Sequence, residues 1–212
     1  PGQRSFFGQI KHIMSEIFLT PQYWNERYRT GHTPWDIGQV SPAIQRYLDQ
    51  LPDQSIRILI PGAGNAYEAI YAHRRGFSQV YVCDWAPSAF DYLRQQAPDF
   101  PAEQLLIADF FKLDITVDLI IEQTFFCAID PAQRAEYARK AADLLSSGGR
   151  VAGLLFATHF AQPGPPFGGT QEGYEAIFNP FFHMLQMDIT PWSIPPRAGN
   201  ELFFELKKKP TD

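Results

Sequence analysis

The stretch ILIPGAGNAYEAI, residues 58–70, begins with an apolar run, breaks on Gly62 and Gly64, and resumes with apolar residues at helical spacing. It reads as a buried strand, a glycine turn and the start of a helix. Such a turn faces ligands at the carboxyl end of a parallel strand. Three ligand classes use turns of this kind, a dinucleotide, a nucleoside triphosphate and S-adenosylmethionine, and the flanking residues discriminate among them. The dinucleotide fingerprint GxGxxG places a third glycine where this chain has Tyr67. A triphosphate loop needs GK[ST] after its four-residue gap, and none follows. Glu68 falls near the first turn of the helix, where a carboxylate repels the phosphate that a helix N-terminus otherwise attracts.

Outward from this stretch, short apolar runs alternate with amphipathic ones. IRILIPG, QVYVCDWA, QLLIADFF, VDLIIEQTFFCAI and RVAGLLFATHF read as strands, and AYEAIYAHRRG, SAFDYLRQQA and PAQRAEYARKAADLLSSGG as the helices between them. This is the pattern of βαβ units on a parallel sheet, hence an α/β fold. The pattern then changes at AQPGPPFGGT, residues 161–170, where three prolines and three glycines remove donors and demand unusual dihedrals; this reads as a functional loop at the sheet edge. GYEAIFNPFF follows as a short helix, and HMLQMDITPWSI with ELFFELKKK reads as an antiparallel hairpin around the turn PPRAGN. Before Arg57 there is no strand pattern but a cluster of aromatic residues, Tyr23, Trp24, Tyr28 and Trp35. The expectation is one domain over 1–212, with residues 1–50 an arm across the top of the sheet and 51–212 its core.

Acids recur where strands end: Asp84, Asp109 and Glu122. No Lys or Arg lies between Arg57 and Tyr71, so a ligand there is neutral or cationic and rich in hydroxyl or ammonium donors. S-adenosylmethionine has those properties: a sulfonium, an ammonium, a ribose diol and no phosphate. Gly62 and Gly64 would admit its methionine portion, Asp84 would accept from both ribose hydroxyls, and Asp109 with Phe110 would meet the adenine. The competing role for Asp84 and Asp109 is to cap the following helix.

Composition narrows the partners. A formal net charge of −5 gives no electrostatic reason for a nucleic-acid partner, and the basic run Lys207, Lys208 and Lys209 reads as a solvated strand end. No apolar run approaches the roughly 20 residues that span a bilayer. PGQRSFFGQIKHIMSEIF, residues 1–18, lacks the uninterrupted apolar core of a secretory signal. The chain is therefore expected to be soluble, cytoplasmic and without a membrane partner. Cys83 and Cys127 sit in apolar segments, outside any CxxC pair or cluster of metal-ligand spacing, so they read as free thiols and no metal is expected.

Taken together, YWNERYRTGHTPWDIGQVSP, LIPGAGNAYE, CDWAPSA, ADFF, EQTFFCAIDPAQR, LLSSGGR and GPPFGG with YEAIF resemble the thiopurine S-methyltransferase superfamily, most closely its plant-type harmless-to-ozone-layer thiol and halide methyltransferases. TPWDIG and TFFCAI are the most specific of these segments. The resemblance implies a Rossmann-like class I methyltransferase fold, with a mostly parallel seven-stranded sheet, an antiparallel C-terminal hairpin, and the arm covering the cofactor. It implies that Trp24 and Trp35 line the cofactor, that Tyr28 stands where plant-type members carry a tryptophan, and that Trp85, Glu122 and Gln123 belong to the same site. Gln123 occupies a position that is arginine in the thiopurine enzymes and commonly tyrosine in the halide and thiol branch, so the resemblance does not by itself imply thiopurine specificity. Trp35, Cys127 and Tyr174 are implied to face the acceptor; apart from the resemblance, the paired phenylalanines read mostly as core, with Phe110 and Phe126 expected near ligand.

The reaction so implied moves a methyl group from S-adenosylmethionine to a small soft nucleophile such as a thiol, bisulfide, thiocyanate or halide, leaving S-adenosylhomocysteine. Such a displacement needs alignment in a dry pocket more than a base, and only His159 suggests itself as one. An oxygen, nitrogen or metalloid acceptor, or a catalytically silent cofactor-binding module, are the alternatives. The expected partner is a small molecule, and the expected state a monomer or weak homodimer.

Overall fold

The computed structural model describes residues 19–62, 64–162 and 164–210. Residues 1–18 of the expected arm, including the segment read for a secretory signal, lie outside the described residues.

A strand that is buried on both faces must be apolar at every position, and RILIP forms β1 (Arg57–Pro61) with Ile58, Leu59 and Ile60 all at most 2% exposed. Around it lie β2 (Gln79–Asp84), β3 (Leu105–Ile107), β4 (Val117–Gln123), β5 (Leu145–Phe156), β6 (Phe182–Ile189) and β7 (Glu201–Lys208), in the order β3-β2-β1-β4-β5-β7-β6. The first five strands are parallel, while β7 pairs antiparallel with both β5 and β6. The strand order reverses between β1 and β4. That junction is where an open α/β sheet splays to form a ligand crevice.

The period of two along each strand sends alternate residues to two cores. Leu59, Ile120, Val151 and Phe204 meet α5 (Arg134–Leu144) and α6 (Gln171–Phe178) on one face. Ile58, Ile60, Val82 and Ile121 meet α2 (Pro42–Asp49), α3 (Tyr67–Arg74) and α4 (Asp91–Gln96) on the other. Between β2 and α4, Pro87–Phe90 forms a 3₁₀ turn, so the expected helix there begins tighter than an α-helix. The fifth strand starts earlier than its sequence suggests. Val117 pairs with Leu145 and the next pair is Leu119 with Arg150, so the SSGG stretch, read as a helix end, loops out as a bulge within β5.

The arm is helical. Pro21 occupies the first turn of α1 (Pro21–Thr30), the Thr20 side chain accepts from the Tyr23 N–H at 3.2 Å, and Gly31 closes the helix at φ +67°. None of its residues is fully buried. What holds α1 is therefore not a core face but the aromatic and polar contacts at the top of the sheet. Among the described residues, no helix is long and apolar enough to cross a membrane.

Candidate functional site

Over the carboxyl ends of β1, β2 and β4, beneath the arm, lies a cleft of about 710 Å³. Its floor begins at Gly62, whose φ of +60° and approach to Phe125 both exclude a side chain: a Cβ there would run into the Phe125 ring. The Gly62 N–H donates to the Cys83 carbonyl at 2.7 Å, locking the turn against the end of β2.

Asp84 ends β2 and is 7% exposed. Its carboxylate accepts backbone N–H groups from Gly64, Trp85 and Ala86, the last at 2.8 Å, yet burial still pushes its pKa up to about 6. Tyr28 faces it from the arm, with its own pKa raised by burial and then by the charges of Asp84 and Asp36. At the end of β3, Asp109 accepts from the Phe111 N–H at 3.0 Å, so it caps a 3₁₀ turn and also lines the cleft. Phe110 lies at 3% exposure, its ring stacked 5.1 Å from Tyr137.

The arm closes the cleft through edge-to-face contacts, Tyr23 with Trp24 at 5.2 Å, Trp24 with Trp35 at 5.4 Å and Tyr28 with Trp35 at 6.0 Å. Polar tethers fix it. Asp36, from TPWDIG, accepts from the Asn65 amide and the Tyr67 hydroxyl beside the glycine turn. The Ser88 N–H donates to Asn25 at 3.1 Å, and the Ser41 N–H donates to Glu68 at 3.0 Å. Glu68 thus anchors the arm from a buried position, where desolvation raises its pKa. From the β6–β7 connection, Arg197 donates to the Trp35 carbonyl at 2.8 Å and to Glu201 at 3.2 Å.

Of the residues singled out from sequence, Trp24, Tyr28, Trp35, Gly62, Asp84, Trp85, Asp109, Phe110 and Cys127 all line this cleft. Gly64 and Gln123 line a smaller adjoining chamber with Tyr28, Trp35 and Gly62. The Gln123 Oε1 is buried without a hydrogen-bond partner.

Glu122, Tyr174 and Phe126 line neither space. Strand alternation turns Glu122 away from Gln123 and into the core, at 0% exposure, where one oxygen accepts from the Phe125 and Phe126 N–H groups and the other from the Tyr137 hydroxyl at 2.8 Å. Burial pushes its pKa up to about 7. Tyr174, 1% exposed, spends its hydroxyl on the Phe156 carbonyl at 2.8 Å, and Gly169 packs against its ring. Phe126 is fully buried against Tyr174 and Phe178, and its neighbour Phe125 takes the place at the cleft. His159 is exposed and lies off the cleft wall.

The residues missed from sequence are Arg27, His32, Arg197, Thr124, Phe125 and Phe156, all on the cleft wall. Asp36 stood within a quoted motif without a role.

Cys127 donates to the Thr124 carbonyl at 3.2 Å, and burial pushes its thiol up to about 12. It is an apolar wall at neutral pH, not a nucleophile.

A buried carboxylate at the end of β2, an orphaned carbonyl acceptor beside the glycine turn, and phenolic and indole rings above them have the chemistry that suits the diol, ammonium and adenine of S-adenosylmethionine. The comparisons agree. Residues 19–199 match the model of the thiopurine S-methyltransferase family. A probable thiol methyltransferase 2 of Arabidopsis thaliana is 28% identical over 194 residues, spanning 89% of this chain and 85% of its own. The thiocyanate methyltransferase 1 of Brassica oleracea is 28% identical over 192 residues, spanning 87% and 84%. In fold, the chain is similar to the 1,6-didemethyltoxoflavin-N1-methyltransferase of Burkholderia thailandensis, solved with S-adenosylhomocysteine, at a TM-score of 0.74, 15% identity and coverage of 90% and 87% of the two chains. The chain belongs to the thiopurine S-methyltransferase family and with it to the S-adenosylmethionine-dependent methyltransferases.

Proposed function

We propose that the acceptor is a small soft nucleophile, a thiol, bisulfide, thiocyanate or halide. The observation that carries this reading is the chemistry of the cleft wall. Among the described residues, its only carboxylates are Asp84 and Asp109 at the strand ends, its one histidine, His32, is exposed at the rim, it has no lysine, and its thiols Cys83 and Cys127 are both pushed up to about 12 by burial. An alcohol or amine would call for a general base within hydrogen-bond reach, whereas a thiolate or soft anion arrives already nucleophilic.

When bound, S-adenosylmethionine supplies an electrophilic methyl group on a sulfonium: the acceptor's lone pair forms the new bond to carbon as the old carbon–sulfur bond breaks onto the sulfur that leaves. The chain's own part is placement. Asp84 would receive the ribose hydroxyls and the Gln123 Oε1 an ammonium proton. Asp109 and Phe110 would border the adenine. Trp24, Tyr28 and Trp35 would close over the ligands and exclude water, while Trp35, Phe125, Cys127 and Phe156 would hold the acceptor against the methyl group. Effective molarity and desolvation then supply the acceleration. The arm, residues 1–50, would serve as lid to a core formed by residues 51–212.

The test is formation of S-adenosylhomocysteine with aliphatic and aromatic thiols, bisulfide, thiocyanate and iodide, beside phenol and amine controls. Turnover confined to the soft acceptors is expected. Turnover of the controls alone would overturn the acceptor class, and cofactor binding without turnover of any acceptor would make the chain a silent binding module.

A further inference from the structure

Among the described residues, three basic side chains line the cleft, and they are not equivalent. Arg197 is 13% exposed, with one guanidinium nitrogen on Glu201 and another on the Trp35 carbonyl. Its charge is compensated and its donors largely used. His32 sits exposed at the rim. Arg27 is different: its guanidinium lies 4.8 Å from the centre of the Tyr23 ring and 5.7 Å from that of Trp35, and its one side-chain hydrogen bond to a described residue, the His32 carbonyl at 3.3 Å, is long. Among the described residues no carboxylate lies within ion-pair distance of it.

The aromatic faces hold the planar group in place without neutralising it. An oriented guanidinium with spare N–H donors, facing a largely apolar cavity, is a site for an anion. We infer that Arg27 binds the negative charge of an anionic methyl acceptor, a thiol that carries a separate carboxylate.

This rests on the soft-acceptor reading above. The other anion that could enter is the carboxylate of the cofactor, and position argues against it. Arg27 lines the large cleft and takes no part in the small chamber over Gly64, where the glycine turn, Asn65 and Gln123 would meet the methionine end.

The probe pair is 3-mercaptopropionate and its amide, nearly isosteric and different in charge. Their binding to the S-adenosylhomocysteine-loaded protein is measured by calorimetry, and their kcat/KM by product formation. The wild type is expected to favour the acid, and Arg27→Gln to cut the acid-to-amide ratio by about tenfold in both measurements, as loss of one charge-assisted contact implies. Arg27→Lys, which keeps the charge, is expected to retain most of that preference. The ratio also cancels the intrinsic reactivities of the two thiols and any general loss of folded protein.

An unchanged ratio in Arg27→Gln, or a wild type that binds both thiols equally or neither, overturns the inference. So does a roughly tenfold loss of S-adenosylhomocysteine affinity in Arg27→Gln with the ratio intact, which would assign the guanidinium to the cofactor carboxylate. Preferential binding of the acid with no methyl transfer to either thiol would leave Arg27 as the anion site and overturn the acceptor reading instead.

Discussion

At Asp84 the site's chemistry and its cost to the fold meet in one side chain. Three backbone N–H groups favour the carboxylate, and desolvation outweighs them, so the folded pKa stands at about 6 against 3.8 for an unperturbed carboxyl. Between those values the folded protein holds more protons than the unfolded chain, so Asp84 makes stability fall as pH rises from about 4 to about 6, with no further change above. Ligand hydroxyls act in the opposite sense, because they donate to the ionised form. Affinity for S-adenosylmethionine is therefore expected to rise with pH through about 6. Asp84→Asn should flatten the binding dependence and remove Asp84's share of the fall in stability seen by urea denaturation between pH 4 and 6, leaving the share of Glu122, whose folded pKa is about 7, and should weaken cofactor binding by tenfold or more at pH 8. Unchanged affinity in the variant at pH 8 would remove Asp84 from the cofactor site.

At the scale of elements, what could be read from sequence and what could not divide along a physical line. The strands and helices of the core advertise themselves through periods of two and 3.6, and α1 and α2 carry Thr-Pro and Ser-Pro starts, which are local helix signals. The tethers of the arm have no period. Asp36 reaches Asn65 and Tyr67, and Ser41 reaches Glu68, across 27 to 31 residues of chain. No local pattern records such a contact. Glu68, which the sequence places beside a ligand, does line the small chamber, but its partner, the backbone at the start of α2, had no local signal. Glu122 shows the complementary failure: its place at the end of β4 was legible, but strand parity, which sends it inward and Gln123 toward the ligand chamber, decides the role. The tethers predict an element-level effect. Asp36→Ala leaves the Asn65 amide and the Tyr67 hydroxyl without their acceptor, and the arm should open more often. The KM for S-adenosylmethionine should rise about three- to tenfold, in line with a net loss of about 1 kcal/mol for a hydrogen bond, while proteolysis between residues 31 and 41 accelerates. If neither changes, the aromatic contacts alone hold the lid.

For the whole molecule, three regions distant in sequence converge on one space: the arm, the turns after β1, β2 and β4, and the β6–β7 connection. The reversed strand β7 makes this possible, because inserting it beside β5 carries the 3₁₀ turn Pro195–Arg197 to the carboxyl end of the sheet, where Arg197 reaches the arm. PPRAGN is a turn between strands, as its prolines and glycine indicate; that the turn also closes the site depends on strand order, which no stretch of that length encodes. A ligand held between these regions binds only the assembled form, so its affinity adds to global stability by mass action. S-adenosylhomocysteine at 100 times its Kd should contribute about 2.7 kcal/mol and raise the melting temperature by roughly 5–10 °C for a chain of this size. Arg197→Ala removes the link between hairpin and arm and leaves Glu201, 3% exposed, without its cation. It should lower the melting temperature of the free protein and, at the same ligand concentration, shrink the ligand-induced rise, since a less ordered arm weakens binding. A lower free-protein value with an undiminished rise would show that Arg197 only supports the fold. A diminished rise, with circular dichroism unchanged at 20 °C, would show that the arm, the sheet and the hairpin respond to the cofactor as one unit.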